Sequence, residues 1–155
     1  MIFVTIGTQA PFDRFIKIID EIAPSVNDEI VAQVYKCSFV PKNIKIVDFL
    51  PPDEFNKLFD SAKLIISHAG MGTILSALQK NKPIIIFPRI SALGEHRNEH
   101  QLATAQKLKE LGFVYVAMND EELKWYIMQK NLVPLHIIGN KASQSLIKSI
   151  EEFVG

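Results

Sequence analysis

The chain has one cysteine, Cys37, in 155 residues. A disulfide framework is therefore excluded, and a reducing cytoplasm is the expected compartment. No apolar run approaches the ~20 residues that a membrane-crossing helix needs. Membrane association would then come through a partner or a surface patch. Charge of one sign is also missing: Lys plus Arg and Asp plus Glu are 17 each, with no block of like charge. Nucleic-acid binding thus has no electrostatic footprint. The opening stretch, Met1 to Gly7, is apolar but short and lacks a basic flank. It reads as a first strand, not a targeting peptide. No G-x-G-x-x-G follows that strand and there is no Walker A lysine, so NAD enzymes and P-loop NTPases are disfavoured.

What remains is an apolar-rich chain, 48% hydrophobic, of a length expected to form one domain over residues 1–155. Apolar runs at 2–6, 29–36, 44–50, 63–67, 83–88 and 113–117 suit strands. Helical spacing connects them. Phe12, Phe15, Ile16, Ile19 and Ile22 recur on one helix face between Pro11 and Pro24. Further helices are expected over 53–60, 72–80, 95–111, 119 to about 130, and 141–153. In the 95–111 helix, Leu102, Ala105, Leu108 and Leu111 are expected to face inward. Asn119 with Glu122 resembles a capping box. Strands alternating with helices predict an α/β fold, a Rossmann-like, mostly parallel sheet with helices on both faces.

The densest functional signal is Ile65-Ile66-Ser67-His68-Ala69-Gly70-Met71-Gly72-Thr73. An apolar strand enters a small loop that opens a helix, and a second apolar strand follows at 83–88. Ligands of open α/β sheets bind at such strand ends. Glycines permit close approach, and a helix start offers N–H donors to a phosphate. Thr73 and Ser76 share a helix face with the loop. His68 either donates to a phosphate or satisfies local backbone. Gly7 and Thr8 form the first βα turn, a second place where an N–H can meet a phosphate.

The segment Glu95-His96-Arg97-Asn98-Glu99-His100-Gln101 is the richest in polar groups. His96 and His100 are four residues apart, a zinc-like spacing, but the metalloprotease order is absent and no third ligand is evident. No metal is expected. Asn98, His100 and Gln101 instead offer donors and acceptors suited to sugar hydroxyls.

Together, Val4 to Thr8, Ile66 to Thr73 and Gly94 to Gln101 resemble the family 28 glycosyltransferases. The likeness is to the subfamily made only of the C-terminal, nucleotide-sugar-binding half, which holds the PssE-like bacterial proteins and a eukaryotic UDP-GlcNAc transferase subunit. The resemblance implies a single GT-B half-domain that binds a UDP-sugar with no other cofactor. It implies a membrane-anchored partner subunit that supplies the acceptor-binding half and the catalytic base. The acceptor would be a lipid-linked glycan, as in exopolysaccharide or capsule synthesis. It places Gly7, Thr8, His68, Gly70, Gly72, Thr73 and Ser76 at the nucleotide, and Glu95, Asn98, His100 and Gln101 at the sugar. Ser76 stands where the family commonly has a carboxylate for the ribose. A donor-binding catalytic subunit and a non-catalytic activator of a partner transferase both fit the resemblance.

Overall fold

The computed structural model describes residues 1–7, 10–95 and 100–135, together with Lys148 and Glu152. The expected roles of Thr8 and Asn98, the zinc spacing at His96, and the 141–153 helix lie outside these residues.

Six parallel strands form one sheet in the order β3-β2-β1-β4-β5-β6. They are β1 (Ile2–Thr5), β2 (Ile30–Gln33), β3 (Lys45–Val47), β4 (Leu64–His68), β5 (Ile84–Phe87) and β6 (Tyr115–Val116). The helices are α1 (Asp13–Ile22), α2 (Pro52–Ser61), α3 (Met71–Gln79), α4 (His100–Leu111) and α5 (Asp120–Ile127). The central strands are buried on both faces, which is why they read as continuous apolar runs rather than alternating ones.

The strand pleat divides the core in two. Ile2, Val4, Ile66, Ile85 and Phe87 pack with Phe15, Ile16 and Ile19 of α1 and Leu123 and Ile127 of α5. Phe3, Ile65, Ile84 and Ile86 pack on the other face with Phe59, Ile74, Leu78, Ala105 and Leu108 of α2, α3 and α4. Each such large side chain contributes about 1.5–3 kcal/mol of burial. At the end of α1, Ala23–Ser25 forms one turn of 3-10 helix containing Pro24. The α5 cap is as expected: Asn119 Oδ1 accepts from Glu122 N at 2.9 Å, while Glu122 Oε2 accepts from Met118 N at 2.8 Å.

Several expectations need correction: the strand expected over 29–36 is Ile30–Gln33, and that over 113–117 is Tyr115–Val116. The strand expected over 44–50 is only Lys45–Val47, because this edge strand pairs at three positions with β2 alone. The helix expected from 95 is preceded by a 3-10 turn at Ser91–Leu93, closed by Gly94 in the left-handed region at φ 74°, and α4 is described from His100. The inward row of α4 is also rotated. Gln101, Thr104, Ala105 and Leu108 are buried, whereas Leu111 is 37% exposed. Ala105 and Leu108 of the expected row are fully buried and Leu102 is half-buried, while Gln101 and Thr104, which bond within the protein, complete the buried face.

Candidate functional site

The order in which strands are added to the sheet reverses between β1 and β4. From β1 the strands progress toward β2 and β3, and from β4 toward β5 and β6. Adjacent crossovers part there and leave a crevice at the carboxyl ends, the usual ligand position of such sheets. Gly7 follows β1, and Ala69 and Gly70 follow β4, so the first turn and the glycine loop stand side by side.

The imidazole of His68 lies between them. A Cβ on Gly70 would sit 2.5 Å from its Cε1 and 2.6 Å from its Nε2, and a Cβ on Gly7 would sit 2.9 Å from Nε2. Gly7 also has φ 77°. Gly7 is thus held to glycine by its backbone conformation, and at both positions a Cβ would require the His68 ring to shift. Gly72 differs: a Cβ there would meet nothing within 4 Å. It lies exposed in the first turn of α3, whose N-cap Gly70 provides no side-chain bond. The first N–H groups of any helix lack intrahelical partners, and here they border a cavity.

That cavity is about 230 Å³. Gly72 and Thr73 line it beside the strand ends at Thr5 and Gln33, opposite Phe49, Leu50 and Phe55. Phe49 is 71% exposed, an unusual position for such a ring. Thr5 Oγ1 donates to Gln33 Oε1 at 2.7 Å and accepts from Gly7 N at 3.4 Å. A larger cavity of about 590 Å³ lies at the opposite strand ends, near Ile2, Lys63 and Leu64, away from every expected site residue. Ser76 follows Thr73 by about one turn of α3.

The β5 side is a closed network. Arg89, 2% exposed, donates from Nη2 to Ile6 O (2.7 Å) and Ala10 O (2.9 Å), and from Nη1 to Pro11 O (2.7 Å) and Glu95 O (3.3 Å). It thereby ties the loop after β1 to the loop after β5. Burial lowers its pKa below the ordinary arginine value, and the charge of Glu95 opposes that. Glu95 faces Arg14, with Oε2 2.8 Å from Nε and Oε1 2.9 Å from Nη2, and Oε1 also accepts from Ile90 N at 3.1 Å. The hydrogen bond to Glu95 raises the pKa of Arg14, against an opposing contribution from burial. Both guanidiniums lie on aromatic rings: Arg14 is 4.5 Å from the Phe87 centroid and Arg89 4.7 Å from that of Phe12.

Of the residues expected at the sugar, Glu95 and Gln101 are engaged inside the protein. Gln101 is 6% exposed; its Oε1 accepts from Arg89 N at 3.1 Å, and its Nε2 lies 2.9 Å from His68 Nδ1. His100 is exposed at the start of α4. Arg14, Arg89, Thr5, Gln33 and Phe49 were not anticipated. A lone arginine directly after the apolar run 84–88 was the one available signal for Arg89. Among the described residues, no group of three or more His, Cys, Asp or Glu side chains is placed to hold a metal ion. Likewise no described helix is long and apolar enough to cross a membrane.

Comparisons with known proteins agree on this fold. The glycosyltransferase family 28 C-terminal domain matches residues 1–153. The UDP-N-acetylglucosamine transferase subunit ALG13 of Candida albicans is 33% identical over 90 residues, covering 57% of this chain and 29% of the fungal protein. ALG13 of Homo sapiens is 27% identical over 125 residues, 74% of this chain and 11% of the human protein. The match therefore spans less than a third of either relative. An ALG13 solution structure superposes with a TM-score of 0.62 at 21% identity, covering 94% of both chains. Acinetobacter baumannii MurG superposes with a TM-score of 0.52 at 19% identity, covering 96% of this chain and 49% of MurG.

Proposed function

We propose, from the premise that this chain belongs to the glycosyltransferase family 28 C-terminal domain, that it is the UDP-sugar-binding subunit of a two-component inverting glycosyltransferase. The single observation carrying this reading is the β1/β4 crevice, where the open Gly72 and the start of α3 adjoin an apolar pocket. The diphosphate would accept hydrogen bonds from the N–H groups around Gly70, Gly72 and Thr73, with Gly7 and Thr8 on the adjoining turn. The base would stack against Phe49 in the pocket with Leu50 and Phe55. The ribose would lie toward Ser76, and the sugar toward Asn98 and His100.

Donors fixed in this way stabilise charge developing on the leaving diphosphate, and binding orients the anomeric carbon. The partner would be a membrane-anchored subunit carrying the acceptor site and the catalytic base. It would also hold this chain at the inner face of the membrane. The relatives named as transferase subunits support a divided enzyme. The acceptor we propose is a lipid-linked glycan of the kind used in exopolysaccharide or capsule synthesis.

Calorimetric titration with UDP tests the site. Gly72→Val places a side chain where only solvent lies, so the protein stays folded and UDP affinity falls at least about tenfold, roughly 1.4 kcal/mol. Unchanged affinity in the folded variant removes the site. Transfer assays with each subunit alone and together test the division of labour. Robust turnover by the isolated chain overturns it.

A further inference from the structure

Gln101 meets the crevice through His68, and its geometry has a specific chemical consequence. A backbone N–H is always a donor, so the atom of Gln101 that faces Arg89 N at 3.1 Å must be the carbonyl oxygen. The amide NH₂ is then the group 2.9 Å from His68 Nδ1. An NH₂ group cannot accept, so Nδ1 must, and in a neutral imidazole the ring proton then resides on Nε2. The Nε2 edge is the part of the ring lying between Gly7 and Gly70.

We infer that Gln101 is a positioning residue that fixes His68 with Nδ1 as acceptor and Nε2 as donor, presenting an N–H to a phosphate oxygen between the two glycine turns. This rests on the nucleotide reading above for the identity of the ligand, though not for the protonation of the ring. Arg89 anchors the arrangement at both ends. Its N–H orients the Gln101 amide, and its guanidinium holds the turn after β1 through Ile6 O and Ala10 O. The ring orientation and the turn it faces are thus set by one residue. A second effect follows. The wrong tautomer would present a lone pair to an anion, so fixing the ring removes a repulsive state rather than adding a contact.

The test uses the full chain labelled with nitrogen-15. Long-range proton–nitrogen correlation distinguishes the two nitrogens of each imidazole, and a His68→Phe spectrum assigns His68 among the four histidines. The expected result is a pyridine-type Nδ1 and a pyrrole-type Nε2 without ligand; a protonated Nδ1 overturns the inference. Gln101→Glu keeps an acceptor for Arg89 N but turns the facing group into one that only accepts. A proton should then appear on Nδ1, and an unchanged ring signature overturns the role of Gln101.

UDP titrations of Gln101→Leu, alone and combined with His68→Phe, complete the test. A loss of about tenfold is expected with His68 present and none with it replaced, since the residue acts through the ring. Equal losses in both backgrounds show that Gln101 acts elsewhere and overturn the assignment. If the ring signature is as expected but the unmodified chain binds no UDP, the phosphate role falls with the nucleotide reading, and the protonation assignment stands.

Discussion

The loops after β4 and β5 sit on neighbouring strands at the same edge of the sheet, yet they are built in opposite ways. The β4 loop is composed of small residues, and at Gly72 it leaves open space and a helix start next to a cavity. The β5 loop is rich in charge, but Arg89, Glu95 and Gln101 bond to carbonyls, to backbone N–H groups and to one another. A polar sequence is therefore no measure of polar groups available to a ligand. Buried donors and acceptors must be paired, and here the pairing is internal. The emptier loop is better placed to receive an anion, and the fuller loop holds it in shape.

Breaking the closed side should have the largest effect. Arg89→Met leaves the carbonyls of Ile6, Ala10 and Pro11 without their donor. Ile6 is buried, and a buried acceptor left unmade costs about 1–3 kcal/mol, whereas Ala10 is half-buried and Pro11 exposed, where water can replace the bond. A stability loss of about 2–3 kcal/mol in urea unfolding is expected. A loss under 1 kcal/mol, on the scale of an ordinary surface change, refutes the clamp.

On the open side the glycines should divide. Gly70→Ala drives a methyl into the His68 ring and should cost about 1–3 kcal/mol, the range for overpacking. That cost should shrink in a His68→Ala background, where the obstructing ring is gone. If it persists there, Gly70 is needed for some other reason. Gly72→Val, by contrast, should affect UDP binding without a comparable loss of stability.

The smallest effect sharpens the ligand side. Ser76 lies about one turn beyond Thr73. A carboxylate accepts from two ribose hydroxyls, and such charge-assisted bonds exceed neutral ones. Ser76→Glu should thus tighten UDP by on the order of 1 kcal/mol. No gain in a folded variant places the ribose elsewhere.

The sheet and its order of elements were legible because each central strand is buried on both faces and each helix has a repeating apolar face. The glycine loop was legible because two glycines, a hydroxyl and a helix start coincide at a strand end. Gln101 and Glu95 were not legible in their internal roles. Their residue types suit a sugar as well as they suit the protein, and only the facing partners distinguish these uses. Leu111 misled for a related reason: at the last position of α4 the apolar spacing continues, but the side chain is 37% exposed.

The sequence by itself determined the fold class and the strand–glycine loop–helix unit over 65–73, because apolar periodicity and turn chemistry act between residues close in the chain. Only the tertiary structure decided which glycine adjoins open space and which faces His68, and that Arg89 and Gln101 join turns far apart in the chain. Those contacts depend on the packing of β1, β4 and β5 side by side, and hydrogen-bond partners brought together across that sheet leave no periodic trace in the sequence.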